Sequence, residues 1–418
     1  MLANYIRIAL KVLARRKFFT FISLFGISLT LVVLMVAAAI LDNVFAPRKP
    51  ESRFDRVLMI ARITLSGERS INSGNPGYKF LDKYMRGLPG AELTSIASEP
   101  RATSLFHQGR KIETHVRRTD GAYWQIVDFD FLEGGPYTEA ENRNASFVAV
   151  ITDDMREKLF GGAPALGKTF MADGNTYRVI GVVPAVPITR LSAFSEIWAP
   201  IRTFPSSDYE TQMSGSFTGL VLARSRGDFA QLRREFDRRL EHFVFDDPQT
   251  YNKLETSLDT RFEAFARTLV GRSGPGRAAA ERPAARMRAI IALLALLFVT
   301  LPTINLVSIN LSRIMERAPE IGVRKAFGAS SRALVGQFVV ENIVLTLIGG
   351  AIGFVLSVIA LEALSRIELV RYAVFYVNFR IFLYGMLLAA LFGIVSGVYP
   401  AWRMSRMQAV TALRGGAM

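Results

Sequence analysis

The sequence predicts an α+β membrane protein, with four transmembrane helices and a large mixed α/β extracytoplasmic domain between the first helix and the second. Half of the 418 residues are hydrophobic, and they are collected into four long apolar runs. A segment of mixed composition separates the first run from the second, and it is long enough to bury a core of its own. The excess positive charge lies beside the runs and not in that segment. These three observations define the predicted architecture.

The first apolar run, residues 18–41, contains 24 residues and no charge. At about 1.5 Å of rise per residue, a helix of this length crosses the roughly 30 Å hydrocarbon layer of a bilayer. A cleaved signal peptide is the alternative, because basic residues precede the run, but the run exceeds the usual apolar core of about 7 to 15 residues. We therefore predict that it is retained as the first span. The other predicted spans are residues 289–311, 335–361 and 381–399.

The orientation is predicted from charge, and the even number of spans places both termini on one side. Basic residues without acids precede the first span, which favours a cytoplasmic N-terminus. Arginines between 272 and 288 oppose this orientation, but long translocated domains largely escape the positive-inside rule. The predicted segments are an amphipathic helix on the cytoplasmic side at 1–17, the extracytoplasmic domain at 42–285, a cytoplasmic loop at 312–334, a short extracytoplasmic loop at 362–380 and a cytoplasmic tail at 400–418. The helix at 1–17 is expected to contact membrane lipids.

The net charge of +15 would suit a nucleic-acid-binding protein if it lay on the folded domain. Outside residues 42–285 there are 18 Lys and Arg against 5 Asp and Glu, whereas within them there are 33 against 31. The charge therefore belongs to the margins of the membrane spans, where basic residues anchor and orient them. We predict no nucleic-acid partner. The absence of cysteine excludes a disulfide framework and thiolate metal sites.

Residues 42–285 carry short stretches of period-two alternation mixed with helical patterns. The predicted elements are strands at 57–63, 147–151 and 177–183, a loop at the turn cluster 72–77, a short helix at 153–160 capped by Thr152, and a helix at 231–243. Residues 271–285 are rich in Gly, Pro and Ala, which is typical of a flexible connector. The sequence assigns no function to residues 187–271.

A catalytic or cofactor site is not predicted for this chain. Residues 162–169 fit the nucleotide-binding pattern GxxxxGK[ST], but a helix is predicted before them and a strand after them, the reverse of a P-loop. Pro164 also lacks the N–H that a phosphate would need. The three histidines, His107, His115 and His242, show no spacing typical of metal ligands. We therefore predict a connecting turn at 162–169, no metal and no enzymatic activity.

A charged loop runs directly into the third predicted span. Apolar residues alternate with the charges between 316 and 332, so the loop forms a short amphipathic element that can dock into a groove of another protein; a solvated structural loop is the alternative. Loop and span together resemble the signature of MacB/FtsX-type ABC transporter permeases, of the MacB-like type VII ABC superfamily. The matching residues are Glu316, Arg317, Glu320, Gly322, Arg324, Lys325, Gly328, Ala329, Gln337, Phe338, Glu341, Gly349, Gly350 and Gly353. Pro319 departs from the pattern but leaves the core EIGxRKAxGA intact.

The resemblance extends to the large domain, at residues 120–141 and 148–184, and it implies two lobes there. It also implies a separate ATPase subunit that holds ATP and Mg²⁺, and a coupling element that touches this subunit. The coupling residues would be Glu316, Arg317, Glu320, Ile321, Gly322, Arg324, Lys325, Phe327 and Gly328. Proteins of this kind work as homodimers or heterodimers in the bacterial inner membrane, with the large domain in the periplasm. A periplasmic adaptor and an outer-membrane channel are the further partners that it implies.

The function implied by the resemblance is mechanical transmission. Motion of the ATPase would pass through the spans to the large domain, which exports or releases a substrate. A membrane-anchored receptor or regulator that activates a periplasmic partner without transport is the alternative. The sequence does not identify the substrate.

Two GxxxG patterns occur in the predicted spans, at Gly349 and Gly353 and at Gly393 and Gly397. Small residues at this spacing let helix backbones approach closely. Packing within one subunit and packing across a dimer are both compatible with the pattern.

Overall fold

The computed structural model describes residues 2–15, 17–107, 109–270, 283–298, 300, 323, 327, 330–367, 375 and 377–405. The chain forms two compact units, one of helices and one of mixed α/β structure. The helical unit includes the chain up to Asp42, then Ile290–Ile367 and the chain from Val374, whereas residues 43–289 belong to the second unit, the large domain.

The helical unit contains α1 (Leu2–Arg15), most of α2 (Lys17–Phe45), part of the helical segment 283–298 (α9), α10 (Ser331–Arg366) and α11 (Phe379–Ser405). Among the described residues, two helical stretches are long and apolar enough to cross a membrane, Lys17–Phe45 and Val335–Arg366. Phe379–Leu391 is a shorter apolar stretch. Most of the second predicted span, 289–311, lies outside the described residues.

Glycines of α10 lie against α2 of the same chain. A Cβ added at Gly353 would lie 3.2 Å from the Cα of Ser28 and from the Cβ of Leu31, and one added at Gly349 would lie 3.0 Å from Ile27. Because Gly349 and Gly353 have no side chains, α10 can approach α2 closely, as is typical of GxxxG patterns. Gly393 and Gly397 are in α11, but their surroundings are outside the described part of the chain.

Substitution of Gly353 by alanine is expected to weaken this packing. The added methyl group meets backbone at Ser28, which cannot move as a side chain would, and overpacking of this kind costs about 1 to 3 kcal/mol. Gly336, in the same helix, is a matched control because a Cβ there meets nothing within 4 Å. Gly336→Ala should be neutral or stabilising by up to about 1 kcal/mol through helix propensity. Thermal unfolding of the two variants in one detergent measures the difference, and equal stability would contradict the packing.

The large domain is built on a ten-stranded sheet. The strand order along its main path is β1, β13, β4, β6, β11, β8, β10, β7, while β5 pairs with β6 and β9 pairs with β10. A second sheet has the order β12, β3, β2, β14. The strands are β1 Val57–Ile60, β2 Ile63–Ser66, β3 Ile71–Pro76, β4 Ala91–Ser98, β5 Arg101–His107, β6 Arg110–Thr119, β7 Glu133–Gly134, β8 Val148–Thr152, β9 Thr169–Ala172, β10 Asn175–Val183, β11 Ile197–Pro200, β12 Ser214–Gly215, β13 Phe217–Ala223 and β14 Lys253–Thr256.

Six helices accompany these sheets within residues 43–270 and complete the cores. They are α3 Tyr78–Tyr84, α4 Tyr123–Ile126, α5 Glu139–Arg143, α6 Asp153–Phe160, α7 Phe229–Leu240 and α8 Arg261–Val270. Apolar side chains of α3 and α7 form one core with β1 and β13, aromatic residues around Trp198 form a second, and α6 packs on β8 and β10 in a third. The domain is therefore mixed α/β, as predicted, whereas its division into two lobes stays a prediction.

Two predicted elements of the domain were wrong. Residues 57–63 are not one strand, because β1 ends at Ile60 and enters the large sheet while β2 begins at Ile63 and enters the small one. The turn cluster 72–77 is largely strand β3, which pairs antiparallel with β2 from Ile63↔Gly74 to Ser66↔Ile71. Pairing on both sides of β3 overrides the weak strand preference of Asn, Ser and Gly.

Two other predictions were confirmed. The Thr152 side chain accepts a hydrogen bond from the backbone N–H of Met155 and caps α6. This helix ends at Gly161 in the left-handed conformation, with φ of 60°, and the chain then turns into β9. The segment 162–169 therefore connects a helix to a strand and does not form a P-loop.

Candidate functional site: the junction at the end of the first long helix

Most of the predicted coupling residues lie outside the described residues. They are Glu316, Arg317, Glu320, Ile321, Gly322, Arg324, Lys325 and Gly328. Phe327 is described, and it is 88% exposed. Its backbone N–H donates to the carbonyl of Val323 over 3.0 Å. An exposed phenylalanine suits the predicted docking element, but this contact alone does not define a site.

A buried charge network lies at the end of α2, around residues 44–51. The last carbonyls of any α-helix have no partner within the helix and carry a partial negative charge. Arg261 donates from Nη1 to the carbonyl of Val44 over 3.1 Å, and Arg190 donates from Nη1 to the carbonyl of Ala46 over 2.6 Å. Two arginines from distant parts of the domain therefore cap this helix end.

The two arginines share the carboxylate of Glu51, which is fully buried. Its Oε2 lies 2.6 Å from Nη2 of Arg261 and 3.6 Å from Nη1 of Arg190. Its Oε1 accepts the backbone N–H groups of Ser192 and Ala193 over 3.2 and 3.0 Å. A buried carboxylate is tolerated only with such partners. Burial lowers the pKa of the Arg190 guanidinium, and the charge of Glu51 opposes this shift.

Aromatic contacts hold the same helix end. The ring of Phe45 packs edge-on against Phe262 and Phe265 of α8, with both centroid distances at 5.3 Å. The guanidinium of Arg261 lies 4.3 Å from the centre of the Phe54 ring. These contacts add to the polar ones, because edge-on aromatic pairs contribute about 0.5 to 1.5 kcal/mol beyond the area that they bury.

Arg117 fixes the segment that carries Arg190. It lies on β6, is almost fully buried, and donates to three backbone carbonyls of the segment 191–194. Nε donates to the carbonyl of Phe194 over 3.1 Å, Nη1 to that of Ser192 over 2.9 Å, and Nη2 to that of Leu191 over 2.7 Å. We call Phe45, Glu51, Arg117, Arg190 and Arg261 the junction cluster.

The junction cluster was not predicted from the sequence. Arg190 and Arg261 fall within residues 187–271, to which the sequence assigned no function, and no local motif marks either of them. A cavity of about 350 Å³ borders the cluster. Its walls include Val44, Phe45, Arg117, Leu191, Arg261 and Phe265. Among the described residues, no group of three or more His, Asp or Glu side chains could hold a metal ion there or elsewhere.

A second buried carboxylate, Asp120, follows β6. It accepts hydrogen bonds from the Ser95 hydroxyl over 2.6 Å and from the backbone N–H of Ile96 over 2.9 Å, and it lies 3.5 Å from Nη1 of Arg86. Burial nevertheless dominates and raises the pKa of Asp120 from 3.8 to about 6. The folded domain therefore binds this proton more tightly than the unfolded chain does.

Stability should consequently fall as the pH rises through this interval. Below about pH 4 the carboxyl is protonated in both states, and between about pH 4 and 6 the unfolded chain releases the proton first. The expected loss is about 3 kcal/mol, at 1.36 kcal/mol per pKa unit. Urea unfolding of the wild type and of Asp120→Asn between pH 4.5 and 7.5 isolates the part of this loss that falls in that range, about 2 kcal/mol. The wild type should lose stability relative to the variant as pH rises, and parallel pH profiles would contradict the assignment.

The chain combines a mixed α/β domain with long apolar helices, and two families match it. The MacB-like periplasmic core domain matches residues 20–239, and the FtsX-like permease C-terminal family matches residues 290–409. The chain belongs to the family of MacB/FtsX-type ABC transporter permeases. It is one of the permease proteins that carry a MacB-like domain followed by an FtsX-like domain.

Similar proteins are found in several bacteria. The uncharacterized ABC transporter permease YknZ of Bacillus subtilis is 24% identical over 341 residues, which cover 80% of this chain and 79% of that protein. The macrolide export ATP-binding/permease protein MacB of Burkholderia thailandensis is 26% identical over 330 residues, which cover 76% of this chain but 46% of that protein. The chain thus aligns with less than half the length of this MacB relative.

Solved structures are similar to about half of this chain. The alignment with the extracellular domain of YknZ covers 47% of this chain and 98% of that domain, with 19% identity and a TM-score of 0.34. The alignment with the periplasmic region of MacB from Actinobacillus actinomycetemcomitans covers 52% of this chain and 94% of that structure, with 12% identity and a TM-score of 0.37.

Proposed function

We propose that this chain is a permease subunit that transmits ATP-driven motion from a separate ATPase to its large domain. The junction cluster carries this proposal. The end of α2 is held by two arginines and two aromatic contacts, so a displacement of the helix end would displace Arg190 and Arg261 with it. Arg261 is the first residue of α8, and α8 precedes α9 in the chain. The cluster therefore ties the first long helix to the segment that leads into the second predicted span.

The membrane arrangement is part of the proposal. Four spans, both termini in the cytoplasm and the large domain in the periplasm would place the junction cluster at the outer surface of a bacterial inner membrane. The two long apolar helical stretches and the family of the MacB-like periplasmic core domain support this arrangement.

The ATPase would supply the energy and this chain the linkage. ATP and Mg²⁺ would be bound by the separate subunit, and residues 316–328 would contact it. Two permease chains, identical or related, would face each other and bring their large domains together. The domains would then compress, release or expel a substrate in the periplasm, with an adaptor and an outer-membrane channel as further partners in an efflux system. Nothing in this mechanism requires a substrate path between the helices.

A second candidate function is supported by the FtsX-like match over residues 290–409. The chain would then be a receptor or regulator that activates a periplasmic partner. The helices and the junction cluster would work in the same way, and only the output of the large domain would differ.

The coupling residues provide the decisive test. Glu320→Ala and Arg324→Ala are expected to reduce the transported or released product by up to about tenfold, because loss of a charged contact of about 1.4 kcal/mol weakens the affinity of an interface by that factor. ATP hydrolysis by the partner subunit would continue, since no ATPase residue is changed. Arg313→Ala is the matched control, because it removes a charge from the same loop outside the predicted coupling set.

The native complex is purified under mild conditions for this measurement, and its components are identified. An ATPase together with an adaptor or an outer-membrane channel would support efflux, and an ATPase together with bound lipoproteins would support release. Wild-type function in both coupling variants would overturn the assignment of the loop. Recovery without any ATPase, in conditions that preserve another ABC complex, would favour the receptor.

A further inference from the structure

We propose that the loop 184–195 of the large domain inserts its apolar tip into the outer surface of the lipid bilayer, beside the end of α2. This inference rests on the proposed function in one respect, because it requires that α2 spans a membrane. Its partner is the headgroup and upper acyl layer of the lipid itself.

The first argument is the position of the loop along the helix axis. The Thr189 hydroxyl donates to the Oδ1 atom of Asn43 over 2.6 Å, and Arg190 donates to the carbonyl of Ala46. The uncharged apolar run ends at Leu41, and at 1.5 Å per residue Asn43 is only about 3 Å further along the axis. The headgroup layer on each side of a bilayer is about 5 to 8 Å thick. Thr189 therefore contacts the helix at the depth of the lipid headgroups.

The second argument is the chemistry of the loop surface. The loop reads PAVPITRLSAFS and contains one ionisable residue, Arg190, which is buried beside Glu51. Its exposed surface is therefore uncharged. Ile188 and Leu191, on either side of the anchored pair, are 53% and 56% exposed. Single exposed apolar residues are common on soluble surfaces, but an uncharged loop that exposes two of them at headgroup depth fits an interfacial anchor.

The third argument is the rigidity of the loop. The backbone N–H of Arg190 donates to the carbonyl of Pro187 over 2.9 Å, and the N–H of Phe194 donates to the carbonyl of Arg190 over 2.7 Å. Arg117 holds residues 191–194 of the loop by donating hydrogen bonds to three of their backbone carbonyls. The tip is thus fixed before it meets lipid, and little conformational entropy is lost on insertion.

Lipid contact of this kind would give the large domain a second attachment to the membrane surface besides the helices. A movement of the end of α2 would then pull Ile188 and Leu191 through the headgroup layer. The resting position of the domain would be stabilised by the lipid, and part of the ATP-driven work would be used to change it.

The full-length chain permits a direct test, because it contains no native cysteine. Ile188→Cys and Leu191→Cys are labelled one at a time with an environment-sensitive fluorophore and placed in nanodiscs of phosphatidylethanolamine and phosphatidylglycerol. Lipids with a nitroxide close to the headgroup should quench both labels about twofold, since interfacial side chains enter by about 5 to 10 Å. Met171→Cys on β9 and Val244→Cys after α7 are matched controls, 59% and 61% exposed in the wild type, and should not be quenched.

Leu29→Cys, at the middle of the apolar run, separates the two proposals. A nitroxide at the end of the acyl chain should quench its label if α2 spans the bilayer. If the label at 29 is quenched but the labels at 188 and 191 are quenched no more than the controls, the lipid contact is overturned and the membrane span remains intact. Absence of quenching at 29 would overturn the span and the lipid contact together. Quenching of 188 without 191 would also contradict the proposal, because Ile188 borders a separate cleft of about 710 Å³ in which a ligand could bind.

Discussion

Replacement of Glu51 by alanine is expected to lower the free energy of unfolding of the large domain by about 3 to 5 kcal/mol. The substitution leaves the guanidinium groups of Arg190 and Arg261 in a buried position without their shared carboxylate. It also removes the acceptor of the Ser192 and Ala193 amides. Chemical denaturation of the purified full-length chain, followed by tryptophan fluorescence, measures the loss.

The exposed ion pair of Arg56 and Glu92 is the matched control. Its atoms lie 2.6 Å apart, but both side chains are partly exposed, so Glu92→Ala should cost less than about 1 kcal/mol. A second comparison tests the cause. Glu51→Leu combined with Arg261→Met removes the most closely paired charges together and should recover part of the stability, because buried ion pairs are often replaceable by apolar groups of similar size. A loss below 1 kcal/mol in Glu51→Ala would contradict the role of the carboxylate.

The effect on function should exceed the effect on folding at moderate temperature. When Glu51 is absent, the two arginines no longer have a common charge that fixes them at the end of α2. The helix end can then move without moving the domain by the same amount. Under the proposed function, we therefore expect ATP hydrolysis by the separate ATPase to continue while the output of the large domain falls.

Local chemistry explains which parts of the fold could be predicted. The helix α6 was predicted with Thr152 as its cap, and this cap is a local signal because the hydroxyl bonds a backbone N–H only three residues further on. The strand β3 was not, because Asn72 to Pro76 have turn chemistry and become a strand only through pairing, the first three with β2 and the last two with β12. That pairing is a tertiary property. The first residues of β3 are exposed, so the segment has no alternation of apolar and polar residues from which a strand could be predicted.

The junction cluster shows a different reason for failure. Glu51 follows α2, Arg117 is on a strand, Arg190 is in a loop and Arg261 begins a helix, so four segments far apart in the chain contribute one charged residue each. A single sequence gives no indication that these charges meet. The resemblance of residues 316–353 to the family signature could be recognised because the matching residues lie close together in one stretch of the chain, at fixed spacing.

Arg117→Met is expected to lower the free energy of unfolding by about 2 to 4 kcal/mol. Methionine retains much of the apolar stem but donates no hydrogen bond, so the carbonyls of Leu191 and Phe194 lose the donor that Arg117 supplies. The carbonyl of Ser192 keeps the Tyr123 hydroxyl as a donor over 2.9 Å, which limits the loss. Hydrogen bonds to a charged donor contribute about 1.5 to 3 kcal/mol each, and relief from burying the guanidinium offsets part of this.

Amide hydrogen exchange can show whether Arg117→Met loosens the segment 191–194 locally or lowers the stability of the whole domain. Amide hydrogen exchange should accelerate first at Ser192 and Ala193, which donate to Glu51, because the segment that carries them is no longer held against β6. Arg238→Met on α7 is the control, since that side chain is 67% exposed and its pair with Glu235 contributes little. Arg117→Lys should resemble Arg117→Met, because a lysine ammonium cannot reproduce the planar arrangement of donors that reaches three carbonyls. Full stability of the lysine variant would show that charge alone, and not the geometry of the guanidinium, holds the segment in place.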